Sequence, residues 1–286
     1  MLKNILKIYL SLSTIIILQS CTNENSSLIS DEELVVIWGF VFEGEQVDDI
    51  QLTGTLTLDA DSSEVPPPIN DAIVKIIKDG NEYDLEPSAG DSGYYHYNGY
   101  DLNIETNDKI SIEVNWNGLE LYAKSTVPEA PLNVNISSDT FTIPDFSDRN
   151  EMREWRQSGT QEVEINWEID NEDDWFYVSL ENVEENPVPL EDIFGNRART
   201  FIFPPIQDYS YRIRLPIVEH LGLHEIKVYK VNQEYVDLYE SREQDSRDLN
   251  EPLTNVVGGL GIFSAFNYET IHITILQDSG SGIIEL

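Results

Sequence analysis

The chain has 286 residues, with 17 Lys and Arg against 53 Asp and Glu, for a net charge of −36. A surface this acidic repels phosphate backbones and anionic headgroups, which excludes nucleic acid as a partner and leaves cations and basic or neutral ligands compatible. An apolar fraction of 40% with 14 tyrosines excludes disorder across most of the chain, and a single cysteine excludes a disulfide framework.

The predicted elements begin with a leader. Lys3 and Lys7 give a basic start, and the apolar run from Ile5 to Leu18 closes on Leu18-Gln19-Ser20-Cys21. So short a run is a secretory h-region rather than a membrane span. Residues 1–20 are expected to be a lipoprotein signal peptide, with Cys21 becoming the lipidated first residue of the mature chain. The alternative is an ordinary signal peptide with a chance cysteine, since Gln19 is less usual there than a small or aliphatic residue. Acyl chains such as palmitate on Cys21 would make the membrane itself a partner, and would leave no thiol for a metal or a nucleophile. Residues 21–33, ending in Asp31-Glu32-Glu33, are polar and predict a flexible acidic tether.

Strand patterns start at Leu34. Leu34 to Phe42 is a nearly continuous apolar run, Gln51 to Leu58 alternates, and Pro66-Pro67-Pro68 interrupts with a loop. Ala72 to Ile77 is followed by an Asp79-Gly80 turn into Tyr83 to Leu85, and Gly93 to Tyr97 is a further short strand. Lys109 to Trp116 and Leu119 to Thr126 flank Asn117-Gly118, the strongest hairpin signal in the chain. These strands predict an N-terminal β-sandwich domain over residues 34–128. Pro128, Ala130 and Pro131 mark a boundary.

A second, C-terminal β-rich domain is expected over 129–276. Its strands are Val134 to Ile136, Phe141 to Ile143, Glu162 to Ile169, Trp175 to Val183, Thr200 to Phe203, Tyr209 to Leu215, Glu225 to Val231 and Ile271 to Leu276. Asp145 to Gly159 and Asp170 to Asp174 are polar or acidic insertions, Gln233 to Arg247 is the one short helix expected, and 277–286 is a loosely ordered tail. The fold class is thus all-β: two immunoglobulin- or fibronectin-like sandwich domains.

No constellation in the sequence specifies catalysis. Gly258-Gly259-Leu260-Gly261 lacks the phosphate-loop spacing and predicts a backbone that turns before Ile262, Phe263 and Phe266 enter a core. His220 and His224 have helical ligand spacing, but Gly222 intervenes and no glutamate follows His220 as a zinc protease needs. The acidic loops Asp59-Ala60-Asp61 and Asp170 to Asp174 lack the glycine and terminal glutamate of an EF-hand. Tyr94, Tyr95, Tyr97 and Tyr100, and Trp155 with Arg153 and Arg156, suit core and edge packing, with ligand stacking as the functional alternative. The expectation is no enzyme, no cofactor and no metal site.

Two stretches carry a resemblance. The first comprises Ala72-Ile73-Val74-Lys75-Ile76, Gly93-Tyr94-Tyr95, and Asn117-Gly118 through Tyr122-Ala123-Lys124-Ser125-Thr126-Val127-Pro128; the second is Asn250-Glu251-Pro252 with Asn255 through Phe263. Over roughly 34–266 the chain resembles a family of Bacteroidota outer-membrane lipoproteins of unknown function, the domain of unknown function 4249 type. Its members are often encoded beside TonB-dependent receptors. The resemblance implies an outer-membrane, lipid-anchored protein facing the cell exterior and assisting a TonB-dependent nutrient receptor with an unidentified ligand, such as a glycan or peptide. An adhesion or envelope-structural protein is the alternative, and a glycan or peptide hydrolase a third.

Overall fold

The computed structural model describes residues 34–56, 60–61, 63–146, 149–159, 161–190, 198–243 and 254–278. The leader, Cys21, the tether and the tail past 278 lie outside them. β1 (Val35–Phe42) pairs antiparallel with β2 (Asp49–Gly54), Phe40 opposite Asp49. β2 ends earlier than its alternation suggests, because the proline segment returns along it: Gly54 N–H donates to the Pro67 carbonyl at 2.8 Å. β3 (Ile73–Lys78) and β4 (Asn81–Pro87) turn at Asp79-Gly80 with φ of 52° and 78°. After β5 (Tyr94–His96), β6 (Lys109–Trp116) and β7 (Leu119–Thr126) turn at Asn117-Gly118 with φ of 51° and 84°. Both dipeptides supply the positive φ that a two-residue hairpin requires.

The chain continues through β8 (Leu132–Ile136), β9 (Thr140–Ile143), α1 (Arg149–Ser158), β10 (Glu162–Glu168), β11 (Trp175–Asn182), β12 (Val188–Pro189), β13 (Thr200–Ile202), β14 (Ser210–Arg214), β15 (His220–Val231), α2 (Gln233–Glu243) and β16 (Leu260–Gln277). Among the described residues the strands form two sheets, one in the order β13-β11-β15-β16-β1-β2-β5-β4-β3-β6-β7 with β12 and β9 at its margins, the other β14-β10-β8. The protein is an all-β sandwich fold, as its strand pattern predicts.

Besides β2, the elements α1, β15 and β16 depart from the sequence expectation. The insertion Asp145 to Gly159 holds a second helix, α1, which buries Met152 and sets Trp155 against Phe146 at 5.3 Å. It ends at Gly159, where φ is 58°, the left-handed conformation that closes helices. β15 begins at His220 and continues through Gly222 at φ 93°. β16 runs for 18 residues, because both of its halves find partners. Val36 to Phe42 of β1 lie parallel to Leu260 to Phe266, while Gly222 to Lys230 of β15 lie antiparallel to Asn267 to Ile275.

That long strand belongs to both cores. Its odd-numbered side places Phe263 and Ala265 in a first core with Ile37, Leu52, Ile76, Ile112 and Tyr95. The same side places Ile273 and Ile275 in a second core with Val163, Ile165, Phe176 and Val228, where β14-β10-β8 covers the larger sheet. On its opposite side Phe266 and Tyr268 join Phe40, Phe42, Tyr177 and Tyr229 under Tyr235 and Val236 of α2. Within this third cluster Tyr177 stacks on Tyr229 with centroids 4.3 Å apart and planes 9° apart, an offset arrangement that suits the ring quadrupoles. Because both faces of β1 are covered at Phe40 and Phe42, its sequence is continuously apolar rather than alternating.

Two asparagines clasp the segment leaving β7. Asn232 Nδ2 lies 3.0 Å from Ser125 Oγ, 2.9 Å from the Thr126 carbonyl and 3.1 Å from the Ala265 carbonyl. Asn267, buried on β16, donates from Nδ2 to Thr106 Oγ1 at 3.1 Å and to the Pro128 carbonyl at 3.0 Å. The proline-marked boundary is therefore tied to the middle of the last strand.

Candidate functional site

The solvent face of β3, β6 and β7 carries a groove of about 480 Å³. Alternation sends Val74, Ile76, Ile112, Val114, Leu121 and Ala123 into the first core and turns their neighbours outward. Register then places Lys75 beside Glu113 and Glu113 beside Tyr122, while Ile73 lies beside Asn115 and Asn115 beside Glu120.

The groove's last wall comes from the other end of the chain. Val257 pairs antiparallel with Tyr122, with N–H to carbonyl distances of 3.0 and 2.8 Å. Asn255 fixes this return by hydrogen-bonding the Phe263 backbone in both directions, at 2.7 and 3.0 Å. The crossing requires glycine. A Cβ on Gly259 would lie 2.7 Å from the Val35 carbonyl oxygen, and one on Gly261, at φ 99°, would overlap the Ile37 backbone. Parts of both stretches that carry the family resemblance therefore meet here, whereas Gly93-Tyr94-Tyr95 lies at β5 against β2 and β4, and Asn250-Glu251-Pro252 lies outside the described residues. As the sequence predicts, the glycines turn the backbone so that Ile262, Phe263 and Phe266 become buried.

Three apolar side chains rim the groove in solvent: Ile73 is 61%, Tyr122 40% and Val257 68% exposed. The Lys75 ammonium is held by Glu82 at 2.5 Å, with Asp84 at 3.9 Å. The Glu82 hydrogen bond, and then its charge, push the Lys75 pKa upward. By contrast, Glu113, Asn115, Glu120 and the Tyr122 hydroxyl have no side-chain hydrogen-bond partner among the described residues. The site thus offers carboxylate, amide and phenol groups free to engage a ligand, in an open face rather than an enclosed cavity.

The sequence-selected residues lie elsewhere or play structural parts. Cys21, the expected lipidation site, is outside the described residues, as is Asp59. His220 and His224 share one buried face of a strand, not a helix. His224 Nδ1 donates to the Gly222 carbonyl at 3.0 Å, and Nε2 faces Asn182 Nδ2 at 3.4 Å, which requires an acceptor and fixes the neutral imidazole. Asp174 is paired with Lys230 at 2.6 Å, and Asn171 caps its own turn through Asp173 N–H at 3.2 Å. Among the described residues no group of three or more His, Cys, Asp or Glu is placed to hold a metal. Tyr95 is buried, donating to the Ile69 carbonyl at 3.0 Å; Tyr97 binds Asp101 at 2.6 Å; Tyr94 and Tyr100 face solvent.

Sequence reasoning missed the groove residues Glu113, Asn115 and Glu120, although their alternation with buried Ile112, Val114 and Leu121 was visible. It also missed the third aromatic cluster, whose signal was the paired spacing Phe40/Phe42, Trp175/Tyr177 and Phe266/Tyr268.

Comparison with solved structures finds one described as "Structural insight into host cell surface retention of a 1.5-MDa bacterial ice-binding adhesin", at 15% identity and a TM-score of 0.20, covering 85% of this chain and 65% of that one. A second, described as "Ca2+-stabilized adhesin helps an Antarctic bacterium reach out and bind ice", matches at 11% identity and a TM-score of 0.20, covering 86% of this chain and 49% of that one. The chain thus spans less than two thirds of either, and likeness at this level bears on neither ligand nor activity. No curated protein matches. The family described as "Domain of unknown function (DUF4249)" matches residues 22–272, and the chain belongs to it.

Proposed function

We propose that the chain is a non-enzymatic surface lipoprotein, held in the outer membrane by lipid on Cys21 and facing the exterior, that acts as an accessory or ligand-binding partner of a TonB-dependent nutrient receptor. The observation that carries the reading is the groove over β3, β6 and β7. It offers side chains that have no hydrogen-bond partner among the described residues, rimmed by exposed apolar ones, which suits holding a partner without enclosing a substrate. The leader supports the membrane part of the reading, since a diacylated or triacylated Cys21 anchors far more firmly than a single chain.

The test is isolation of the natural protein from outer membranes with and without Cys21→Ser. The reading expects fatty-acid labelling lost in Cys21→Ser, one TonB-dependent receptor co-isolating with the wild type, and reduced uptake of that receptor's nutrient on deletion. Retention of Cys21→Ser in the membrane refutes the anchor, and isolation without any receptor refutes the accessory role. One observation favours the adhesion or envelope-structural alternative: β16 passes through both cores as one continuous strand, which makes a stiff spacer. That alternative gains if deletion leaves uptake unchanged but weakens attachment of cells to surfaces.

A further inference from the structure

We propose that the groove docks a basic, extended polypeptide segment, with Arg or Lys side chains over Glu113, Glu120 and Tyr122 and intervening apolar side chains against Ile73 and Val257. This deepens the reading of the groove as a partner-binding face and rests on it.

Charge selects the partner. Lys75, the only cation lining the groove among the described residues, is held by Glu82 with Asp84 at 3.9 Å, and Glu113 acts on it after these two. The Glu113 and Glu120 side chains have no hydrogen-bond partner among the described residues, and with Glu82 and Asp84 beside the one lysine the groove is net negative, on a chain of net charge −36. An anionic partner is repelled, and so is a second copy of this chain. A guanidinium fits best, because it can bridge a carboxylate with two hydrogen bonds while lying over the half-exposed Tyr122 ring.

Geometry selects an extended segment. The row Lys75, Glu113, Tyr122 and Val257 crosses four neighbouring strand positions. At about 4.8 Å per step this spans roughly 14 Å, or about four residues of extended chain. Glu113 shares this row with Val257 and Glu120 shares the neighbouring one with Ile73, so each side of such a segment meets one acid and one apolar residue. A saccharide would be served better by several stacking rings, whereas Tyr122 is the sole aromatic lining this groove among the described residues.

The experiment uses the full mature chain from Cys21, purified in detergent, and fluorescence anisotropy with a labelled octapeptide that repeats Val-Arg-Arg-Val, so that each side carries both residue types. Probes in which threonine or glutamate replaces arginine, and maltohexaose as competitor, complete the set. The expected result is binding of the arginine probe that weakens as salt rises from about 50 to about 300 mM. It should fall at least about tenfold in Glu113→Gln/Glu120→Gln and about fivefold in Tyr122→Ala, with recovery in Tyr122→Phe. The control Glu162→Gln/Glu168→Gln, which removes equal charge from the exposed face of β10, should change affinity less than about twofold. Equal losses in the two double variants would mean that net charge alone attracts the probe, and would overturn the proposal. So would preference for the threonine probe, displacement by maltohexaose, or no binding at all. Receptor co-isolation is independent of these outcomes, so loss of the peptide site and loss of the accessory role are separately visible.

Discussion

Asn232 is the most informative single residue of the joint between the cores. Its amide has two protons but faces three acceptors, Ser125 Oγ at 3.0 Å, the Thr126 carbonyl at 2.9 Å and the Ala265 carbonyl at 3.1 Å, so the protons are shared. Asn232→Ala removes two hydrogen-bond equivalents of about 1 kcal/mol each and strands part of one acceptor, for a predicted loss of about 2 to 3 kcal/mol. Ser125 keeps its bond from Ala265 N–H at 3.0 Å and its own to Glu234 Oε1 at 2.6 Å, which limits the loss. Asn232→Asp preserves shape but sets a carboxylate oxygen against two carbonyls and near Glu234, so it should destabilise by at least about 1 kcal/mol more than alanine. Urea unfolding at neutral pH, followed by tryptophan fluorescence, measures both. Finding the aspartate variant as stable as the alanine variant, or either within about 0.5 kcal/mol of wild type, would refute the clasp.

Gly261→Ala should cost about 3 to 4 kcal/mol, since φ 99° disfavours a side chain and the new Cβ overlaps the Ile37 backbone; a comparable alanine at Gly80, where nothing lies within 4 Å, should cost less in the same unfolding assay. Burial, assisted by neighbouring His220, lowers the His224 pKa below 6.5, against the opposing pull of the Gly222 carbonyl and Glu184. The unfolded chain therefore takes up that proton first, so the stabilisation is complete above pH 6.5 and declines as pH falls through the folded value. His224→Gln should flatten that part of a stability-against-pH curve, and an unchanged slope would assign it to other groups. Burial pushes Tyr229 up to about 12 and Tyr177 well above 10. The folded state resists ionising them, so stability is full below pH 10 and lost as pH rises toward 12, with their phenolate absorbance appearing only as the chain unfolds.

Where the sequence sufficed, the determining chemistry was local. Asp79-Gly80 and Asn117-Gly118 specify their turns through backbone conformations that few other residue pairs adopt, and β6 and β7 emerge with the predicted bounds. Where it failed, the decisive partner was distant. Leu260 to Tyr268 contains Gly261 at φ 99° and a polar Ser264 and Asn267, which weaken any strand signal. They become a strand because β1 and β15 offer ladders on either side. Ser264 and Asn267 are buried because Glu234, Thr106 and Pro128 receive their donors, at 3.4, 3.1 and 3.0 Å. Helix α1 escaped notice for a different reason. Met152 and Trp155 are its only large apolar residues, too few to make a visible stripe, yet one turn apart they suffice to dock it.

The groove was half legible. Alternation along β6 and β7 already sorts Glu113, Asn115, Glu120 and Tyr122 onto a wet face, but wet faces are common in a chain with 53 acidic residues. What distinguishes these is adjacency. β3 pairs with β6 across the intervening β4 and β5, which brings Lys75 beside Glu113, and the hairpin pulls Glu82 and Asp84 onto that lysine. Had Lys75 instead paired with Glu113, Glu120 alone would carry the groove's excess charge; because the β3-β4 hairpin brings Glu82 onto the cation, Glu113 feels it only at longer range and keeps its own hydrogen-bonding capacity. The apolar wall arrives only when Val257 returns from the far end of the chain to the Tyr122 backbone. Composition could reveal that the surface is acidic, but only strand pairing decides which acids are left to bind something else.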